Sequence, residues 1–456
     1  MSGMTLRPAS IFFEFQLPNA ATWFYFSFLL AVALFFKFSR LLTVRNWDVV
    51  SLFLLVPGLL LLQEANAKNQ QSSHQGNGGR IAPPPANAKL PRTDPLRSLG
   101  YIWLVAGSGY FLFRCLLDLA LIGRPALSPN LTSGGLIWFG GALFLGLVYL
   151  AILPPEEIVG KKTIITGEMP SQMETAAETV AGQEARWVGI SLAIASHLAV
   201  IAGMIVIGRW HFQDTEAGIS AATLYLLLPY TALFVGQFHH VLPTALLIWA
   251  VVCYRRPTLA GLFLGFAAGS QFFPALLFGV WCSFYWRRGS SRFAAAFGLA
   301  FIFSLALAGT ILLVRGDFAE SVRSVLTLAD WQAWKAPTTE SFWTGVHWAY
   351  RLPVFIGYVA LLAITAFWPA PKNLAQVLSL SAAALLGIQF WYADQGGVYV
   401  LWYLPLLLLL VFRPNLSDRL PSAGVDENDW FGKTSRWVRR TAARMRKQPE
   451  PIAKAP

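Results

Sequence analysis

The chain has 456 residues, 55% of them hydrophobic and only 13% charged, about half the charged share of a soluble domain. This composition excludes an ordinary soluble enzyme. The formal charge of +12 does not indicate nucleic acid, because much of the excess lies in short loops and the tail and no nucleic-acid module is present.

Apolar runs fill residues 19 to 412, and a bilayer core of ~30 Å requires ~20 apolar residues per helix. They predict an all-α, polytopic transmembrane bundle with spans at 19–36, 47–62, 98–120, 134–153, 187–208, 217–235, 241–253, 293–314, 353–368, 375–391 and 397–412. The first run lacks the basic flank and small-residue cleavage site of a signal peptide, so it reads as a retained helix. Cys115, Cys253 and Cys282 fall in or beside these runs, without zinc spacing or a disulfide framework, and read as packing residues.

The segments 63–97 and 154–186 are polar outer loops with too little apolar content to fold alone. On the third span, Arg114 and Asp118 are four apart and share a helix face. They form either a structural ion pair or, with Arg124 in the following loop, a phosphate-binding arginine set beside an acid. His197, inside an apolar span, reads as a packed, hydrogen-bonded residue. His211 lies in a short loop beside Asp214 and Glu216.

Between two later spans lies Gly236-Gln237-Phe238-His239-His240. Adjacent histidines point in different directions on a helix and make a poor metal site. They either cap a span or supply a general base. From Pro257 to Trp286 an apolar stretch is bounded by Arg255-Arg256 and Arg287-Arg288. Both basic pairs belong on one side, so the stretch must enter and return. It is too short for two full spans, and Gly261, Gly265, Gly269 and Pro274 predict a broken-helix hairpin turning near Ser270-Gln271.

The loop 315–352 holds Trp331, Trp334, Trp343 and Trp348 among several acids. These aromatics are interface anchors or a platform on which a sugar ring stacks, with Asp394 able to face the same space. Short-loop arginines place the C-terminus in the cytoplasm of a multi-pass cell-membrane protein. The tail, 413–456, carries a basic amphipathic segment over 430–447, which predicts a helix lying on the anionic leaflet.

Gly236-Gln237, Tyr254-Arg255-Arg256-Pro257, Ala260-Gly261, Gly265-Phe266-Ala267-Ala268, Gln271-Phe272-Phe273-Pro274 and Tyr285-Trp286-Arg287-Arg288 together resemble the membrane glycosyltransferases of family 87, also called the DUF2029 group. The resemblance covers residues 226–288. It implies a GT-C fold and a hexosyltransferase moving a mannose-like sugar from a polyprenyl-phosphate donor to a lipid or glycan acceptor, at the outer face of the membrane. Asp118, His239 and His240 are then the candidates for catalysis. Arg114, Arg124, Gln237, Gln271, Trp331, Trp334 and Asp394 are the candidates for substrate binding. Gln271 stands where the family commonly has lysine, which removes one phosphate contact. The family's base is an acid near the outer face; Asp94 lies in the first outer loop, and Asp118 would need the third span reversed. No cofactor is expected, and no motif provides for a divalent metal. A transporter or flippase of a lipid-linked glycan, and a non-catalytic scaffold with a degenerate transferase fold, are the alternatives.

Overall fold

The computed structural model describes residues 20–75, 95–120, 127–152, 183–286, 288–313, 341–344, 346–392, 399–414 and 440–441. Among these there is no strand. Seven helices are long and apolar enough to cross a membrane, with shorter apolar helices between them. In chain order the helices are α1 (Ala20–Phe35), α2 (Val44–Ser51), α3 (Val56–Gln75), α4 (Pro95–Leu117), α5 (Ser133–Ile152), α6 (Gln183–Ile207), α7 (Thr215–Leu227) and α8 (Pro229–Leu233). Then come α9 (Phe238–Val252), α10 (Pro257–Ser270), α11 (Phe278–Phe284), α12 (Ser290–Leu313), α13 (Arg351–Phe367), α14 (Leu374–Trp391) and α15 (Leu404–Phe412).

The expected polytopic helical bundle is present, with several expected spans realised as short or interrupted helices. The first long polar loop begins later than its composition suggests. α3 continues through the polar stretch to Gln75, past an i,i+4 pair between Glu64 and Lys68 at 3.3 Å. The stretches 76–94 and 153–182, and the tail beyond Pro414 except for the helical Arg440 and Thr441, lie outside the described residues.

The broken hairpin forms as expected. α10 stops at Ser270, a 3₁₀ turn runs Phe273–Leu277, and α11 returns to Phe284. Lipid tails provide no hydrophobic drive between helices, so association depends on close packing of small residues. Gly261, Gly265 and Gly269, each four apart, lay α10 directly on α12. A Cβ at Gly261 would meet Phe293 O at 2.5 Å, and Gly265 and Gly269 face Phe297 O and Ser304 as closely.

Side-chain ties sort the helix termini into two ends. At one end, Phe35 meets Phe412 edge-on, Tyr285 Oη donates to Tyr254 O, and Trp281 Nε1 donates to Ser381 Oγ. Ser379 Oγ donates to Cys115 O, and His211 Nε2 lies 2.8 Å from Val252 O. Arg413 belongs here. At the opposite end, Thr244 Oγ1 donates to Leu401 O and Trp343 Nε1 to Phe390 O. Trp343 is therefore buried and bonded inside the protein rather than anchored at an interface. His197, deep in α6, bonds through Nδ1 to Tyr225 Oη at 2.8 Å, as its apolar setting predicts.

Candidate functional site

The polar residues singled out in the sequence fall into two groups, one at each end of α15. At the Arg413 end, four charged side chains form one chain. Arg114 Nε and Nη2 donate to the two oxygens of Asp48 at 2.7 and 3.0 Å, a bidentate fork. Arg114 Nη1 reaches Asp118 Oδ1 at 3.5 Å, and Arg413 Nη2 donates to Asp118 Oδ2 at 2.7 Å. Asp48, Asp118 and Arg413 are buried, and the set is neutral. Buried ions are tolerated when each is paired in this manner. A cavity of about 20 Å³ lined by Asp48, Ser51, Arg114, Cys115 and Leu410 lies beside it, enough for about one water molecule.

α2 supplies Asp48 to this chain. Thr43 caps the helix by accepting from Asn46 N, and the Asn46 side chain bonds back to Lys37 and Leu41. That locked elbow turns Asp48 inward while Val44 and Trp47 stay exposed. Arg413 follows the last residue of α15.

At the other end three interruptions meet: Phe234–Gln237 between α8 and α9, Gln271–Leu277 between α10 and α11, and the 3₁₀ turn Val400–Trp402 before α15. His239 and His240 open α9 with ring centroids 4.4 Å apart, both buried. His240 lies between Phe234 at 4.4 Å and Tyr399 at 5.2 Å, stacked on each. Tyr399 stacks on Trp402 at 4.2 Å, and Trp402 meets Phe273, which meets Tyr392 at 4.8 Å. His240 Nδ1 and Trp402 Nε1 are buried without a hydrogen-bond partner among the described residues. Irregular backbone at this depth is tolerated only where protein or a water-filled cavity covers it.

The structure thus brings His239 and His240 together with Gln237 and the turn after Gln271, and keeps Arg114 and Asp118 apart from them. From Tyr403 to Arg413 the separation is ~15 Å at the helical rise of 1.5 Å per residue. Both oxygens of Asp118 are held by arginines, and the Arg114 fork is filled by Asp48. Arg124, Trp331, Trp334 and Asp394 lie outside the described residues. Asp48, Arg413, Tyr399 and Trp402 were not singled out as site residues in the sequence. The adjacent Arg114 and Asp118 were the one signal that further charged partners existed. Among the described residues no group of histidine, cysteine or carboxylate side chains could hold a metal ion. The three cysteines are free. No protein-family model, curated protein or solved structure matches the chain.

Proposed function

We propose that this is an integral membrane hexosyltransferase that takes a sugar from a polyprenyl-phosphate carrier, with its site at the His240 end. The observation that carries the reading is the meeting of three broken helices around a buried histidine pair that retains an unbonded ring nitrogen. Two of those breaks, Gly236-Gln237 and Gln271–Pro274, belong to the stretch that resembles family 87. We read orientation from charge: Lys37, Arg45, Arg209, Arg255, Arg256, Arg288, Arg292, Lys372 and Arg413 all sit at the other end, which supports a cytoplasmic position for that end and the C-terminus. The His240 end then faces outward, where lipid-linked sugars are used.

In this scheme an acceptor hydroxyl attacks the anomeric carbon, and the bond from that carbon to the carrier phosphate oxygen breaks. The phosphate leaves with the bonding electrons, and a neutral imidazole of His239 or His240 receives the hydroxyl proton. Asp118 has no part in this step.

The test is transfer of labelled mannose from polyprenyl-phosphate mannose to lipid acceptors by the purified chain in proteoliposomes. Wild-type transfer that is lost in His239→Ala or His240→Ala, with folding intact, supports the reading. A flippase is the second reading, since interrupted helices at a central site are also how transporters coordinate cargo. Protein-dependent movement of the labelled lipid across the vesicle bilayer without any transfer would favour it.

A further inference from the structure

We propose that Tyr230 is a positioning residue for His240, a role that rests on the transferase reading of that site. The apolar run Val44–Ala65 is interrupted at residues 52–55, between α2 and α3. A helix break inside a membrane bundle releases backbone carbonyls that neighbouring helices must satisfy. Here Val56 N bonds to Phe53 O, and two side chains from other helices supply donors to the break. Trp103 Nε1 of α4 donates to Leu54 O at 2.6 Å, and Tyr230 Oη of α8 donates to Leu52 O at 2.7 Å.

The two donors differ in what they carry. Trp103 belongs to the 23-residue α4. Tyr230 belongs to α8, which has five residues and is too short to hold its direction by its own ladder. α8 is fixed from outside at two consecutive residues. Thr231 Oγ1 donates to Tyr225 O, which folds α8 back on α7. Tyr230, fully buried, ties it to a residue 178 positions away. Phe234 N bonds to Tyr230 O, so Phe234 stands one turn beyond this anchor. Its ring stacks on His240 at 4.4 Å, and His240 stacks in turn on Tyr399.

The Tyr230 hydroxyl therefore sets where Phe234 stands, and Phe234 is one of the two rings between which His240 is held. Phenylalanine would fill the same space, but Leu52 O would lose this donor and α8 would be held by Thr231 alone. Leu52 N bonds to Asp48 O one turn back on α2. The same hydroxyl thus connects the histidine end to the helix that carries Asp48.

The experiment compares full-length Tyr230→Phe and Trp103→Phe, purified in detergent with isotope-labelled histidine rings. Trp103→Phe also strips a donor from the break, so it measures the purely structural effect. NMR reads the His240 ring nitrogens, identified by their loss in His240→Ala, with His211 at the opposite end as internal reference. Mannose transfer is read as kcat and KM per folded molecule. Tyr230→Phe is expected to shift the His240 signals and leave those of His211 in place. It should lower kcat about 10- to 100-fold, as slight misplacement of a reacting group does, with KM within about twofold. Trp103→Phe is expected to leave the His240 signals and kcat unchanged. Phe234→Leu tests the same link from its other side, and covers the case in which Tyr230→Phe does not fold. It should reproduce the His240 shift and the fall in kcat, and the double variant should lose little more than either alone. Unmoved His240 signals in Tyr230→Phe or in Phe234→Leu, or equal changes in Trp103→Phe, overturn the assignment and leave the transferase reading standing. Wild type without transfer, together with the His240 shift in Tyr230→Phe, defeats the transferase reading while the tie from Tyr230 to His240 survives.

Discussion

The two ends of the bundle treat buried polarity in opposite ways. At the Arg413 end every member of the Asp48–Arg114–Asp118–Arg413 chain touches an opposite charge, and the sum is zero. At the His240 end the ring nitrogens are set among stacked aromatic rings, and two of them, His240 Nδ1 and Trp402 Nε1, have no bond among the described residues. Paired charge fixes geometry here, and of the Asp48–Arg114–Asp118–Arg413 chain Arg413 Nε alone is buried without a hydrogen-bond partner among the described residues. An unsatisfied donor or acceptor has a desolvation cost that a substrate can relieve. The first arrangement is largely satisfied within itself, and the second is where we propose that the chemistry occurs.

The sharpest way to break that contrast is Asp118→Ala, which strands Arg413 and part of Arg114. Removing one partner of a buried ion pair costs about 3–5 kcal/mol, so the variant should lose most of its folded yield in detergent-resistant purification. The reciprocal change Asp118→Arg with Arg413→Asp should recover part of it. Normal stability of Asp118→Ala combined with lost transfer would reverse the assignment of roles to the two ends.

His240→Ala should do the opposite. Loss of a positioned base lowers the rate by about 10²–10⁴, while the melting temperature moves only as far as the two lost stacking contacts allow. A collapse in stability equal to that of Asp118→Ala would make the two ends alike. Between them in size lies Gly265→Leu, a test of the frame both ends share. It forces α10 away from Phe297 O on α12, and overpacking of this kind costs about 1–3 kcal/mol. Its effect should appear equally in stability and in transfer.

The smallest effect is a pH dependence at Lys372, in the loop between α13 and α14. Burial pulls its amine down to about 8, below its value in the unfolded chain. Between that pH and the ordinary lysine range the unfolded state binds more protons, so stability should rise as pH rises through this window. Lys372→Met should flatten the difference in melting temperature between pH 8 and pH 10; a slope identical to wild type would exclude Lys372 as its source.

The hairpin was legible in the sequence because two basic pairs bracket a stretch too short for two spans, and glycines at four-residue spacing predicted close contact. The Arg114–Asp118 pair was legible from its i,i+4 spacing. Its completion was not: Asp48 is 66 residues from Arg114, and Arg413 is 295 residues from Asp118. No local pattern encodes pairing over such distances. α3 was hidden beyond Leu62 because its last turns are polar, and polarity without apolar periodicity resembles a loop. Arg413 was read only as an orientation marker, although the same side chain closes the charge network.

The ion chain also gives the protein a clock during synthesis. Asp48, Arg114 and Asp118 all lie on or beside the first four helices, and the formal charges of these three sum to −1. The cancelling guanidinium is translated 295 residues after Asp118, a delay of roughly 15–60 s at about 5–20 residues per second. Only with the arrival of α15 is the ion chain closed.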